Sequence, residues 1–337
     1  MERWKRNLMI LWLGNVFVSG GIGMIIPFLP LYVKELGVEG EQATAIWAAA
    51  IFAVNHVMIA LTSPIWGRFA DKYGQKKMMI PSGIGLAVII SLMGTVSTPL
   101  QLLLLRTFFG MMAGFNPASV ALMAIETPKE HVGKSLGTLQ TGQVAGQLLG
   151  PLFGGVMAEL VGMRYSFFVT GILIFLATVL ALFGVKTTRK FPKFEWKQIP
   201  ELFRRNRSGK KWTIGEVVKQ SPIILQFYLS TLLIAFSLQS IGPIITLHVE
   251  NLNIDSHVEL VAGLVLAAAA FGTMLAAPVL GRLGDRYDHF KVLIWSLLAV
   301  ALCFVPQGLI GNPWLFMGVR FLTGMCIGGL IPSVTSL

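Results

Sequence analysis

The stretch GRFADKYGQKK, Gly67 to Lys77, sets five charges in eleven residues of an otherwise oily chain. A second version, GRLGDRYDHFK, runs from Gly281 to Lys291. What lies between and around these two islands decides the fold. The 337 residues are 54% hydrophobic and only 13% charged, against about 25% charged in soluble domains, and mean hydropathy is +0.71. Charges are nearly absent from runs such as 78–106 and 165–186, each long enough to supply the ~20 apolar residues that cross ~30 Å of hydrocarbon. The chain is therefore expected to be an all-α polytopic membrane protein.

Apolar runs between charged or Pro/Gly punctuation predict ten spans, at about 7–33, 43–66, 78–96, 100–124, 135–159, 164–185, 221–247, 258–280, 292–310 and 313–335. The opening MERWKRN resembles the start of a signal peptide, but the apolar run behind it continues to Val33 without a convincing cleavage site, so a retained first helix is expected. Cys303 and Cys326 lie inside predicted spans, where they read as small packing groups. No nucleotide-binding glycine loop, zinc-ligand spacing or nucleophile elbow occurs. ATP hydrolysis, a metal site, a cofactor and covalent catalysis are accordingly not expected.

Loop charge alternates. Arg3, Lys5 and Arg6, then Arg68, Lys72, Lys76 and Lys77, then Arg282, Arg286 and Lys291 mark one side; Glu35, Glu39 and Glu41, with Glu250, Asp255 and Glu259, mark the other. The excess of Lys and Arg predicts that the N-terminus and the long 185–220 loop are cytoplasmic in a cell membrane. That loop carries eleven Lys or Arg against three Glu, so +8 of the chain's +11 resides in it. Anionic lipid headgroups attract such juxtamembrane basic clusters, so a membrane-surface linker is expected and nucleic acid is not.

The two islands belong to a longer repeat. Gly67, Asp71 and Lys77 return as Gly281, Asp285 and Lys291, and Arg106, Gly110 and Gly114 return at the same offset as Arg320, Gly324 and Gly328. Near the start, PFLPLYVKEL (27–36) is echoed by PIITLHVENL (243–252). An even number of predicted spans separates the copies, so both have the same orientation, the parallel-repeat arrangement. The expected organisation is a six-helix bundle over 1–184, the linker 185–220, and a second bundle over 221–337 with four helices. Repeat closure predicts two further helices beyond these.

At the Gly67 stretch the sequence resembles the major facilitator superfamily, whose loop between the second and third helices follows a G-x-x-x-D-x-x-G-R-K-like pattern. Gly67, Asp71 and Gly74 match it, Lys76 and Lys77 form its basic end, and Gln75 stands where Arg is usual. Gly67 allows helix ends to approach and Gly74 permits the positive φ of a tight reversal. Asp71 can accept hydrogen bonds from Arg or a helix N-terminus as a latch. Gly281, Asp285 and Arg286 repeat the element, with Asp288 replacing the second glycine. The plainer reading is a basic turn that only sets topology.

LLLLRTFFGMMAGFNPA (102–118) resembles a second motif of the superfamily, which implies a proton-coupling role for Arg106. Snorkelling of Arg106 to the membrane surface is the alternative. GQVAGQLLGPLFGG (142–155) resembles the family's antiporter motif through Gly146, Gly150, Pro151, Gly154 and Gly155; its glycine spacing of four also suits close helix packing. The first helix carries no acidic residue, so His56 and Glu126 stand beside Arg106 as proton-coupling candidates. Asn15, Asn116, Gln143 and Gln239, with Met112 and Phe115, are candidates for lining a substrate cavity.

The resemblance implies a major-facilitator-type two-bundle fold, with six plus six helices expected and about ten present, working as a monomer. It implies secondary active export of lipophilic, amphiphilic drugs by proton antiport. Export of one metabolite, sugar or glycolipid, a ligand-binding membrane protein without vectorial flux, and a channel are the rival expectations.

Overall fold

The computed structural model describes residues 2–25, 28–187, 242–252, 258–287 and 289–330. In chain order the helices are α1 (Arg3–Ile25), α2 (Leu29–Glu35), α3 (Glu41–Tyr73), α4 (Gln75–Met93), α5 (Pro99–Met111), α6 (Phe115–Glu126), α7 (Val132–Val161), α8 (Met163–Gly184), α9 (Gly242–Glu250), α10 (Val258–Tyr287), α11 (His289–Gln307) and α12 (Pro313–Ile327). A 3₁₀ turn, Lys129–His131, precedes α7. Among the described residues eight helical segments, counting α5 with α6 as one, are long and apolar enough to span a membrane. Large apolar side chains such as Val88, Leu104, Ile172, Phe183, Trp295 and Leu302 point outward. Such a surface suits lipid and is rare on soluble monomers. The protein is an all-helical, multi-pass membrane protein.

Two predicted spans are each divided between two helices. The span at 7–33 becomes α1 and α2. The span at 100–124 breaks between Met111 and Phe115 because a neighbouring helix substitutes for its own hydrogen bonds. The Ser82 hydroxyl of α4 donates to Met112 O and accepts from Gly114 N (2.9 Å), while Trp66 Nε1 of α3 donates to Met111 O at 2.5 Å. Of the linker, residues 188–220 lie outside the described residues, as does most of the predicted 221–247 span.

The core of α1–α8 is one contiguous cluster running from Leu11 through Phe28, Tyr32, Leu86 and Phe115 to Phe167 and Ile174. Its tightest seam joins α1 to α7. A Cβ added at Gly142, Gly146 or Gly150 would lie 2.7, 2.5 and 2.5 Å from Trp12 O, Val16 O and Gly20 O, and one at Gly154 would strike Met24 O. Positions four apart on one helix thus meet positions four apart on the other, so the two axes run side by side with backbone against backbone.

The sequence repeat is also a packing repeat. A Cβ on Gly110 would strike Asn55 O, and one on Gly324 would strike Ala269 O, each pair related by the same offset as Arg106 and Arg320. α5 begins with Pro99 after the cap Thr98, and α12 begins with Pro313 after the cap Asn312. Gly114 abuts Ser82 and Trp66; Gly329, one residue past the match of Gly114, abuts Ser296 and Leu280, which occupy the matching positions on α11 and α10.

Candidate functional site

The helices define two ends. At one lie Lys34, Glu35, Arg164 and Glu250; at the other lie Asp71, Lys76 and Lys77. Contacts between α1–α8 and α9–α12 gather at the Lys34 end. There Lys34 Nζ donates to both oxygens of Glu250, at 2.8 and 2.7 Å, each side chain about 30% exposed. Lys34 and Glu250 occupy matching places in the echoed PFLPLYVKEL and PIITLHVENL segments, so corresponding residues of the two copies meet each other. Beside them α7 packs on α10: a Cβ on Gly155 would sit 2.6 Å from Glu259 O, and one on Gly263 would sit 2.5 Å from Pro151 O. Gly133 and Gly137, nearer the other end of α7, have nothing within 4 Å.

At the Asp71 end the contrast is complete among the described residues. Asp71 is exposed and makes no hydrogen bond or ion pair. It lines a groove of about 230 Å³ floored by small residues, including Ser63, Gly67, Ala70 and Ala121. The helix approach expected at Gly67 is not made here: no atom lies within 4 Å of its would-be Cβ. Gly74 does adopt a φ of 98° between α3 and α4, where a side chain would strain the turn. Lys76 turns to its own bundle and donates to Leu182 O (2.7 Å) and Val185 O (2.6 Å) at the end of α8. Lys77 is exposed. On α10, Arg286 is exposed and lies 5.7 Å from the Tyr287 ring centroid; Gly281 and Asp285 fall on the helical backbone, but their surroundings lie outside the described residues.

Arg106 and Arg320 are 4% and 5% exposed. Snorkelling therefore does not describe Arg106. Its Nε and Nη2, and the Nε and Nη1 of Arg320, are buried without hydrogen-bond partners among the described residues. The Arg106 guanidinium rests 5.8 Å from the Phe109 ring centroid. Burying a cation with so little compensation is costly in a membrane, and Asn55 Oδ1, also buried and unpartnered, lies on the helix that α5 crosses. His56 is exposed on α3 with Nδ1 3.0 Å from Phe52 O. Glu126 is half-buried at the last residue of α6.

Three of the cavity candidates form one network across α1, α6 and α7. Asn15 is fully buried; its Nδ2 donates to Leu11 O (2.7 Å) and Ser119 Oγ (3.0 Å), and its Oδ1 accepts from Gln143 Nε2 at 3.2 Å. Asn116 Nδ2 donates to Ser19 Oγ (3.1 Å), leaving Asn116 Oδ1 buried and free of partners. Ser19 and Ser119 were not singled out from sequence; each lies four residues from an asparagine on its own helix or directly facing one, a signal too common to stand out. Phe115 is buried. At 1% exposure its ring packs against Gly14 and Gly83, behind the helix break, and a place on a cavity wall stays a proposal. Met112 is half-buried against Gly85 at that break. Gln239 lies outside the described residues.

Membrane-spanning helices in repeated sets, joined through a seam at one end and carrying a buried polar network farther along α1 and α7, define a transport-type architecture. The Major Facilitator Superfamily model matches residues 11–230 and 227–337, and the chain belongs to that superfamily. It is a transporter, not an enzyme. Similar proteins include the uncharacterized MFS-type transporter YuxJ of Bacillus subtilis, 38% identical over 97% of this chain and 81% of its own length. Multidrug resistance protein MdtG of Dickeya zeae is 35% identical over 99% of this chain and 79% of its own, and that of Salmonella typhimurium 36% over 99% and 80%. Among solved structures, a bacterial homolog of the human lysosomal transporter Spinster, inward-facing and unoccupied, matches with a TM-score of 0.71 at 15% identity, covering 100% of this chain and 75% of that one. The nucleoside transporter NupG matches at 0.72 and 13% identity, over 98% and 81%.

Proposed function

We propose that the chain exports amphiphilic small molecules across the cytoplasmic membrane in exchange for protons, by alternating access between a bundle over 1–184 and a second over 221–337. The observation that carries this reading is the inequality of the two ends: a charge pair and backbone-close glycines at Lys34, an unengaged Asp71 at the other. The loop-charge pattern assigns the Asp71 end to the cytoplasm, so the conformation is shut outside. Relatives named multidrug resistance proteins support the substrate class.

In the cycle, substrate enters from the cytoplasm and reaches the Asn15–Asn116–Gln143 network. The bundles then rock, and Asp71, Lys76 and Lys77, with Gly281, Asp285 and Arg286, close the inner side. His56 and Glu126 exchange protons, while Arg106 holds a fixed positive charge that favours deprotonation nearby. The glycine run through Pro151, Gly154 and Gly155 keeps α7 close to α1 and α10 while the outer side is shut. The amide-rich network also suits a hydrogen-bonding metabolite, and this favours a single-substrate exporter as the second reading.

The test is gradient-driven flux in proteoliposomes. Asp71→Asn is expected to insert and fold normally and to lose most drug accumulation under an imposed pH gradient. Full flux in this variant removes the latch assignment, and accumulation of one metabolite to the exclusion of chemically unrelated drugs favours the second reading.

A further inference from the structure

Away from the seam, α3, α4 and α8 enclose a cleft of about 690 Å³ at the Asp71 end, within the range of ~300–1,000 Å³ typical of ligand sites. Its walls are Ile65, Phe69, Ile80, Pro81 and Leu182, with Trp66 and Tyr73 beside them, and Lys76 and Lys77 stand at its rim. Trp66 offers ring surface only, because its N–H is already bonded to Met111 O. Among the described residues no acidic side chain lines the cleft.

We propose that this cleft binds an anionic phospholipid, its headgroup on Lys76 and Lys77 and an acyl chain along Ile65, Phe69 and Ile80. Three independent features agree. Lys76 makes hydrogen bonds to two neutral carbonyls and to no carboxylate, so one N–H and the unit charge are left for an anion. Both lysines stand at the first turn of α4, level with the end of the span, and the apolar walls run inward from them. Trp and Tyr at that height are the usual residues of a membrane interface. Two ammonium groups repel a lipophilic cation, so the ligand class is opposite in charge to many amphiphilic drugs. Asp71 faces the neighbouring small-residue groove, so the lipid shares the two lysines with the latch but not its aspartate.

The experiment uses the full chain purified in neutral detergent, offered dioleoyl phosphatidylglycerol or dioleoyl phosphatidylcholine, with native mass spectrometry and thermal midpoint as readouts. The anionic lipid is expected to be retained about tenfold more than its zwitterionic twin and to raise the midpoint. Lys76→Gln with Lys77→Gln should abolish that preference and Lys76→Arg with Lys77→Arg should keep it. Leu182→Trp, which fills the cleft, removes no charge and keeps the backbone carbonyl that accepts from Lys76, should reduce retention of both lipids and decides the matter if the glutamine pair fails to fold. Equal retention of the two lipids by the native chain overturns the proposal. So does unchanged phosphatidylglycerol retention in Leu182→Trp. Equal stabilisation by inorganic phosphate would mean a bare-anion site and overturns it as well.

Discussion

The helix carrying Arg106 and the helix carrying Arg320 are the same device built twice. Each opens on a capped proline and buries an unpartnered guanidinium, then presses a glycine onto a carbonyl of the preceding long helix. They differ at the contact itself, where α3 has Asn55 and α10 has Ala269, and more sharply at Lys34 and Glu250. Matched positions keep the helices together because a bare backbone contact admits only one solution. Mismatched positions lie where the two copies do different things: the amide side chain at the first glycine contact is a methyl at the second, and the charges that face each other across the seam are opposite. Had both copies kept Lys, the seam would repel.

The largest expected effect tests whether the two glycine contacts are equivalent. Gly110→Leu and Gly324→Leu each force a side chain into a backbone carbonyl, and each should cost at least about 3 kcal/mol, read as loss of monodisperse protein in detergent. If one is tolerated, the packing repeat is broken on that side. The next concerns the mismatch. Lys34→Glu sets two carboxylates opposite each other, and the Lys34–Glu250 pair, partly exposed, contributes about 1 kcal/mol, so the shut-to-open ratio at this end should fall about fivefold. Spin-label distances across the seam measure it, and combining Lys34→Glu with Glu250→Lys should restore the shut distance. A swap that restores nothing means the pair is incidental. The smallest compares the caps. Thr98 accepts one backbone N–H and Asn312 two, so Asn312→Ala should lower the thermal midpoint more than Thr98→Ala, each costing about 1 kcal/mol or less.

Most of the fold was legible because span length and the offset between copies are local and periodic properties. Gly142, Gly146, Gly150 and Gly154 announce a bare helix face, and α1 lies on it. The break at Met112–Gly114 was not legible: it depends on Ser82, some thirty residues away, offering a hydroxyl that does the work of two helical hydrogen bonds. The direction of the Phe115 ring was hidden for a related reason. An aromatic in a span reads alike whether it meets a cavity or a neighbouring glycine, and the ring's direction follows from that break. The Lys34–Glu250 pair was hidden because the pattern exposes two loops of acidic character, and Lys34 gives no sign of its distant partner.

That pair has a consequence for descent. A side chain straddling the axis between two identical subunits can meet only its own copy, so a dimer of one small gene product would set like against like there. Joining the copies in a single polypeptide frees each to mutate alone, and an attractive ion pair at that spot is open to the fused form and closed to a symmetric dimer.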